Sequence, residues 1–407
     1  MRGPPVGQSG ARAVGSLSAM EVVATPSRDF VYLDHAATSP LRPEARAAMD
    51  PFHDAMFANP SGSHRFAREA RRAVDEARDV VAAAIGCRPG EVVFTSGGTE
   101  GANTAVLGTV RRVGGTAACP ATEHHAVLHC VEHVGGAVVP VQPNGAVDPD
   151  ALRSALTNAS GAVSVVSVMA VNNETGATND LQAAAEVARR ASPGAVVHSD
   201  AVQAACWLDL RHVWPHVDLM SLSAHKFGGP KGVGILVVRD GVALEPLVLG
   251  GGQERDRRSG THNVAGIVGA AAALEATDIA RPHERARLRT LRDRLVREIT
   301  ARIPQAVPTI DDAESVEGIA HLCLRGMESE SLLYLLDQDG VCVSAASACA
   351  SGAMEPSHVL AAMGRDRDLI KGSLRFSLGH TTTDADIDAA VQSTVRAATT
   401  LGAAVRP

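Results

Sequence analysis

Aromatic residues account for only 3% of the 407-residue chain. That scarcity excludes a core of stacked rings and leaves close aliphatic packing, with Ala, Gly and Val abundant. Long apolar runs are missing as well. The longest, Gly161 to Val171, is about half of what a membrane span needs and is interrupted by serines, so no transmembrane segment is expected. Positive charge is not in excess: a formal charge of −7 and a pI near 6.1 give no broad basic field to collect nucleic acid or an anionic membrane. There is no CxxC pair, and the seven cysteines (Cys87, Cys119, Cys130, Cys206, Cys323, Cys342 and Cys349) are odd in number and scattered. They read as reduced thiols in a cytoplasm rather than a disulfide framework. Residues 1–29 are rich in Gly, Pro, Ser and Ala and lack the continuous apolar stretch of a secretory signal. A disordered leader is expected there, with Met20 as a second candidate start. No internal repeat is visible. With 45% hydrophobic and 20% charged residues, the chain can bury one large core or two unequal ones, and small-molecule chemistry is the class left standing.

What is present is alternation. After the short apolar run Phe30 to Leu33 and the polar turn Asp34-His35, a helical pattern begins behind Pro43. Glu91 to Thr95 reads as a strand entering Ser96-Gly97-Gly98-Thr99, after which Glu100 to Val113 has helical spacing. Ala162 to Val171, Ala195 to His198, Leu219 to Ser223 and Gly234 to Val238 are further β-rich runs, with helical segments such as Asp180 to Ala191 between several of them. This predicts an α/β fold with a mostly parallel sheet covered by helices. A charged segment, Arg281 to Arg302, follows a long Ala/Gly-rich helix and reads as a helix leading to a second domain. There Gly318 to Leu324 and Gly340 to Ser344 supply strands and Asp384 to Leu401 a final helix. The expected plan is a large domain near residues 42–281 and a smaller α/β domain from 30–41 and 282–407.

The segment Ser223-Ala-His-Lys226 puts a lysine directly after a strand, beside a hydroxyl and an imidazole, before a Gly-rich turn. A lysine desolvated at the mouth of a sheet has a lowered pKa and becomes the free amine that forms a Schiff base with an aldehyde. The plainer alternative is a solvated loop lysine. Ser96-Gly97-Gly98-Thr99, between strand and helix, offers backbone N–H groups and a helix dipole to a phosphate dianion, although a glycine turn alone is weak support. Asp200, at the end of a β-run, could pair with a protonated pyridine nitrogen or could equally be a helix cap or structural ion pair. Gln203 could hydrogen-bond a ring hydroxyl or be a polar residue on an ordinary helix.

Taken with the rest of the chain, these segments resemble the cysteine desulfurases, aminotransferase class V enzymes of the nitrogen-fixation and iron–sulfur-cluster type, from about Val31 to Leu401. The landmarks run from Tyr32-Leu-Asp-His-Ala-Ala-Thr-Ser-Pro40, Asn59-Pro-Ser-Gly-Ser-His64, Phe94-Thr-Ser-Gly-Gly-Thr-Glu100, Thr122-Glu-His124 and Val171-Asn-Asn-Glu-Thr-Gly176 to Asp200-Ala-Val-Gln203 and Ser223-Ala-His-Lys226. They continue with Gly250-Gly-Gly-Gln-Glu-Arg255, Arg258-Ser-Gly-Thr261, Ser347-Ala-Cys349 and Leu374-Arg-Phe-Ser-Leu-Gly379. The resemblance implies pyridoxal 5′-phosphate as cofactor, the type I fold of its enzymes with a mostly parallel seven-stranded sheet, and a homodimer. It implies Lys226 as the Schiff-base lysine, Asp200 on the pyridine nitrogen, Gln203 on the ring oxygen and His124 stacked on the ring as a proton shuttle. Gly98, Thr99, Ser223 and His225 would hold the phosphate, joined by Thr261 from a second subunit. Asn173 and Arg375 would grip the substrate carboxylate, Arg375 by a bidentate fork. The sequence departs from the commoner pattern at Gly98, Gly101-Ala102, Ala224 and His380, none of which removes an assigned chemical group.

By the same resemblance the substrate is L-cysteine, released as L-alanine after its sulfur is taken as a persulfide on Cys349. A sulfur-acceptor protein, an iron–sulfur scaffold or a thiolation enzyme, would receive it. The stretch Ser344 to Pro356 is small-residue and Gly-containing, as a mobile loop carrying a reactive thiolate should be, although a free cysteine is more often inert core. Selenocysteine lyase and class V aminotransferase are rivals on the same fold, and an inactive sulfur carrier or scaffold is the rival of another class. His125, His129 and His133 fall on one helical face and invite a metal reading. Ligands three turns along a straight helix diverge, so no metal is expected.

Overall fold

The computed structural model describes residues 30–311, 314–345, 349–350, 353–354 and 356–406, with backbone alone at 349–350 and 353–354. The expectations for the leader and for Met20 lie outside the described residues, as do Ser347 and Ala348. In chain order the strands are β1 (Val31–Tyr32), β2 (Val92–Thr95), β3 (Thr116–Pro120), β4 (Ala137–Val139), β5 (Val163–Ser167), β6 (Val196–Asp200), β7 (Leu219–Ser223) and β8 (Gly234–Val238). They continue with β9 (Ala306–Pro308), β10 (Ile319–Leu324), β11 (Val341–Cys342), β12 (Cys349–Ala350), β13 (Ala353–Met354) and β14 (Ser373–Ser377).

Seven strands form one sheet in the order β2-β8-β7-β6-β5-β3-β4. Only β8 runs against its neighbours, pairing antiparallel with β2 and β7, while β7, β6, β5, β3 and β4 are parallel in turn. Strands β2, β5, β7 and β8 are buried at every position, which explains why they read as continuous apolar runs rather than alternating ones. Helices Arg65–Ile85 and Leu181–Ala191 flank the sheet and start where the sequence supplies caps. His64 accepts from the Ala67 N–H, and the Asp180 carboxylate from Ala183.

Two helices were expected across the 281 boundary, and one is found. Val264–Arg302 is a single 39-residue helix with Pro282 inside it. Proline removes one N–H from the ladder, yet packing holds the helix on both sides: Leu274 and Leu288 are buried before and after the proline. Tertiary burial therefore overrides the local breaker. Beyond it, β9, β10 and β14 form an antiparallel sheet in the order β14-β10-β9, and the last helix, Asp384–Thr400, packs against the long helix. The expected helix Glu100 to Val113 begins earlier, at Gly98, and loosens into a π turn over Thr104–Gly108. Among the described residues no helix is long and apolar enough to cross a membrane.

Candidate active site

The polar residues of the central sheet gather where its parallel strands end. β2 runs into Ser96-Gly97 and the helix at Gly98, β3 into the turn before His124, β5 towards Asn173, β6 ends on Asp200, and β7 ends on Ser223 just before Lys226. The carboxyl ends of parallel strands leave a crevice that neither covering helix layer fills. Here it is a cavity of about 260 Å³ lined by Gly98, Thr99, His124, Asn173, Asp200, Gln203, Ser223, His225, Lys226 and Arg375. Ten of the twelve residues singled out in the sequence thus meet in one place.

Lys226 closes a short 3-10 turn, Ala224–Lys226, and its Nζ donates to the carbonyls of Ala36 (2.6 Å) and Ala37 (2.9 Å). Burial, then the Arg375 charge, lowers its pKa to about 8 against the opposing pull of Asp200 and Asp34. Part of the amine is therefore free base at neutral pH. Asp200 is buried, with one carboxylate oxygen accepting from the Val202 N–H at 2.9 Å. Burial raises its pKa to about 6, with the Val202 bond and Lys226 acting the other way. Gln203 Nε2 donates to Ala36 O (2.7 Å), and His225 Nδ1 meets the Thr38 hydroxyl (3.1 Å). His124 Nδ1 accepts from the Ala126 N–H (3.1 Å) and so caps its own helix, His125–His133. Burial, followed by the charges of Lys226 and nearby histidines, lowers His124 to about 4. The residue as a whole is exposed.

The cradle at the start of the Gly98 helix is tight. A Cβ on Gly98 would stand 2.5 Å from Val202 Cγ2 and 3.4 Å from Ser223 Cβ, so glycine at this position goes with the branched Val202 facing it. Together with an under-paired buried carboxylate, a lysine of lowered pKa and the hydroxyls of Thr99 and Ser223, this donor set fits a phosphorylated pyridine aldehyde. Anion donors and an acceptor for a ring proton line the same cavity.

Arg375, on β14, also lines the cavity and is buried and already engaged. Its Nη2 donates to Asp34 (2.8 Å) and its Nη1 to the Asn173 carbonyl (2.8 Å), while Nε meets no acceptor. Asp34 was placed in a polar turn and inside the Tyr32–Pro40 landmark without a role; its link to Arg375 spans 341 positions and leaves no local signal. Glu174, inside Val171–Gly176, was likewise given no role. It is buried, bonds the Ser357 hydroxyl, and burial pushes its pKa to about 7. Glu123, buried beside His124 with Oε2 lacking a partner, is raised by burial and by Asp200. Its place inside Thr122-Glu-His124 was the available clue.

Thr261, expected from a second subunit, is exposed and lines a separate cavity with Phe94, Glu254 and Arg258, where Arg258 is paired to Glu100 at 2.9 Å. The Cys349 side chain lies outside the described residues; its backbone pairs with Met354 between the two-residue strands β12 and β13. In the histidine stretch the His125 and His129 ring centroids lie 4.8 Å apart and His358 is 4.4 Å from His125. Among the described residues no three ligands form a group able to hold a metal ion.

Residues 31–390 match the model of the aminotransferase class-V family, and the chain belongs to that family, whose members use pyridoxal 5′-phosphate. Among curated relatives, an IscS-like cysteine desulfurase of Mycobacterium tuberculosis is 44% identical over 380 residues, covering 89% of this chain and 95% of that one. A cysteine desulfurase IscS of Dictyoglomus turgidum is 42% identical, covering 88% and 92%. Among solved structures, a NifS-like protein superposes with a TM-score of 0.84 at 31% identity, covering 91% of this chain and all of that one. SspA, solved in complex with cysteine, gives 0.73 at 28% identity, covering 85% and 98%.

Proposed function

We propose that this chain is a cysteine desulfurase, which cleaves the C–S bond of L-cysteine, releases L-alanine and keeps the sulfur as a persulfide on Cys349. The observation that carries the reading is the convergence of a low-pKa lysine, a buried under-paired aspartate and a neutral imidazole on one cavity with a buried arginine in its wall. Relatives bearing that activity in their names support it across nine-tenths of the chain.

When bound, pyridoxal 5′-phosphate supplies an aldehyde for amines and a ring that withdraws electrons from the substrate Cα. Gly98, Thr99, Ser223 and His225 would hold its phosphate. Asp200, ionised above about pH 6, would face the ring nitrogen and favour its protonated form, and Gln203 would face the ring oxygen. His124, neutral at physiological pH, would pack on the ring face and pass protons. Lys226 is the amine that would hold the cofactor, and its free-base fraction would take the substrate Cα proton. Asn173 and the N–H groups of Arg375 left over from Asp34 hold the substrate carboxylate. The Cys349 thiolate would then attack the substrate sulfur, forming an S–S bond as the C–S bond breaks; the bonding pair stays with the substrate Cβ, which takes a proton so that the product leaves as L-alanine.

The same reading takes Thr261 across the interface of a homodimer. It divides the chain near 281 into a large unit, residues 42–281, and a smaller one from 30–41 and 282–407. It sets the protein in the cytoplasm with an iron–sulfur scaffold or thiolation enzyme as acceptor. Wild-type protein treated with L-cysteine should carry a reductant-labile persulfide on Cys349 in preference to the other six cysteines. Cys349→Ala should keep the cofactor spectrum and lose sulfur transfer, whereas Lys226→Ala should lose the borohydride-reducible cofactor link. Wild-type rates of sulfide release from Cys349→Ala would make the chain a lyase instead.

A further inference from the structure

Behind Lys226, on the far side of the wall formed by Ala36, Val202 and Gln203, lies a second and smaller cavity of about 40 Å³. Arg281 reaches it from the middle of the long helix. Its side chain is 5% exposed. Nε donates to the Ala205 carbonyl (3.0 Å) and Nη1 pairs with Asp278 (2.7 Å), but the buried Nη2 has no acceptor. A charged N–H group buried without a partner is among the least tolerated features of a protein interior.

The cavity lining does not supply that acceptor. Cys206 gives its thiol to the Lys226 carbonyl (3.7 Å). Burial raises its pKa to about 11 even with Arg42 and Arg281 pulling down, so it is no thiolate. His380 is kept neutral, lowered to about 4 by burial and then by Arg42. Glu284 is held by Arg287 through two hydrogen bonds. Arg42, the second guanidinium on the wall, donates to the Phe227 carbonyl (3.2 Å). Leu288, Ile319 and Leu378 add apolar wall, and the hydroxyls on the lining are turned to other partners: Ser39 donates to the Lys226 carbonyl (3.1 Å) and meets His35 Nδ1 (3.2 Å), Thr277 donates to the Phe227 carbonyl (3.0 Å), and Ser377 to the Leu33 carbonyl (3.4 Å). The space admits a monatomic ion or a water or two and no organic molecule.

We propose that this rear cavity is a binding site for a monovalent anion of halide or hydrosulfide size, held by Nη2 of Arg281 with Arg42 beside it. The assignment does not depend on the reaction proposed above, since the geometry of Arg281 stands whichever substrate the front cavity takes. It has a chemical logic all the same, because the site accepts the small anions that a sulfur-releasing enzyme meets.

Holoenzyme crystals grown without chloride and soaked in bromide should show an anomalous peak within hydrogen-bond distance of the Arg281 guanidinium. In solution at constant ionic strength, replacing isethionate, too large for the cavity, with chloride should raise the melting temperature by about 1–3 °C and then saturate. Arg281→Met should abolish the saturable part; should that variant not fold, the wild-type anion pair still decides. Anaerobic hydrosulfide that removes the bromide peak would support the site and name hydrosulfide as a competing occupant. Absence of a peak, or a peak with no saturable difference between chloride and isethionate, would leave only water or binding at crystal concentration and overturn the proposal.

Discussion

Two regions of the molecule are each organised around a buried carboxylate, and the two groups behave in opposite ways. Asp200, in the front cavity, receives one backbone N–H, and burial raises its pKa to about 6. Glu254, in the loop between Gly250 and Thr261, receives four donors. Arg78 bonds both of its oxygens at 2.8 Å, Phe94 N–H one at 3.0 Å and His262 Nε2 the other at 2.7 Å. Burial pushes it up too, but His262 and Arg78 outweigh that and hold it near 2. A carboxylate whose acceptor capacity is filled by the protein is finished structure. One left with spare capacity in a cavity awaits a cation from outside, here the protonated ring of the cofactor. The filled carboxylate also offsets strain. Glu254, Arg255 and Asp256 have φ of 49°, 57° and 62°, a left-handed run of non-glycine residues that costs about 1–2 kcal/mol each.

Breaking the filled network should have the largest effect on stability. Glu254→Gln leaves Arg78 buried without its counter-charge and removes what holds the left-handed run. A loss of about 3–5 kcal/mol is expected, read as a lower denaturant midpoint, with cofactor affinity of the remaining folded protein little changed. Asp200→Asn should do the reverse. The cofactor-free protein should be as stable as wild type or more so, because a buried charge is gone, while turnover falls about 10²–10³-fold through loss of charge stabilisation. If Asp200→Asn destabilised the cofactor-free protein and Glu254→Gln did not, the contrast would be wrong.

The pH dependences have opposite signs. Glu254, depressed in the folded state, contributes stability present above its unfolded pKa of about 4.3 and lost as pH falls through about 2. Asp200, raised in the folded state, does the opposite. The cofactor-free protein should lose stability as pH rises from about 4, the unfolded value, through about 6, by on the order of 3 kcal/mol. Cofactor binding should flatten that second slope. Urea midpoints measured across pH 3–7, with and without cofactor, check both; a slope unchanged by cofactor or by Asp200→Asn would assign it to another group.

The parts legible in sequence were those whose cause is local. β7 and β8 read to the residue because apolar runs end in polar or Gly-rich turns, and Lys226, Asp200 and Thr99 stand out as chemistry-bearing residues at strand ends. What was not legible depends on distant chain. Lys226 is held by the carbonyls of Ala36 and Ala37, about 190 residues away, and Arg375 by Asp34. The helix passes through Pro282 because both of its halves are packed. Arg281 looked like one more arginine in a charged segment until its burial showed otherwise. Backbone carbonyls and burial leave no pattern in residue types.

The smallest expected effect tests how the single protein donor to Asp200 is placed. Val202 supplies that N–H, and its Cγ2 lies where a Cβ on Gly98 would come within 2.5 Å. Gly98→Ala should therefore press on Val202, disturbing the cofactor cradle and the Asp200 bond together, at a cost of about 1–2 kcal/mol typical of overpacking. The readout is weaker cofactor binding, roughly tenfold at that cost. Helix propensity pulls the other way, though weakly, because Gly98 is the first residue of its helix and the preference of about 1 kcal/mol for alanine belongs to helix interiors. The double variant Gly98→Ala with Val202→Ala separates the two: if crowding is the cause, removing the valine methyls restores affinity and exposes the helix gain as extra stability. Weak binding that persists in the double variant would mean that the methyl obstructs the phosphate itself, and that Val202 plays no part in positioning Asp200.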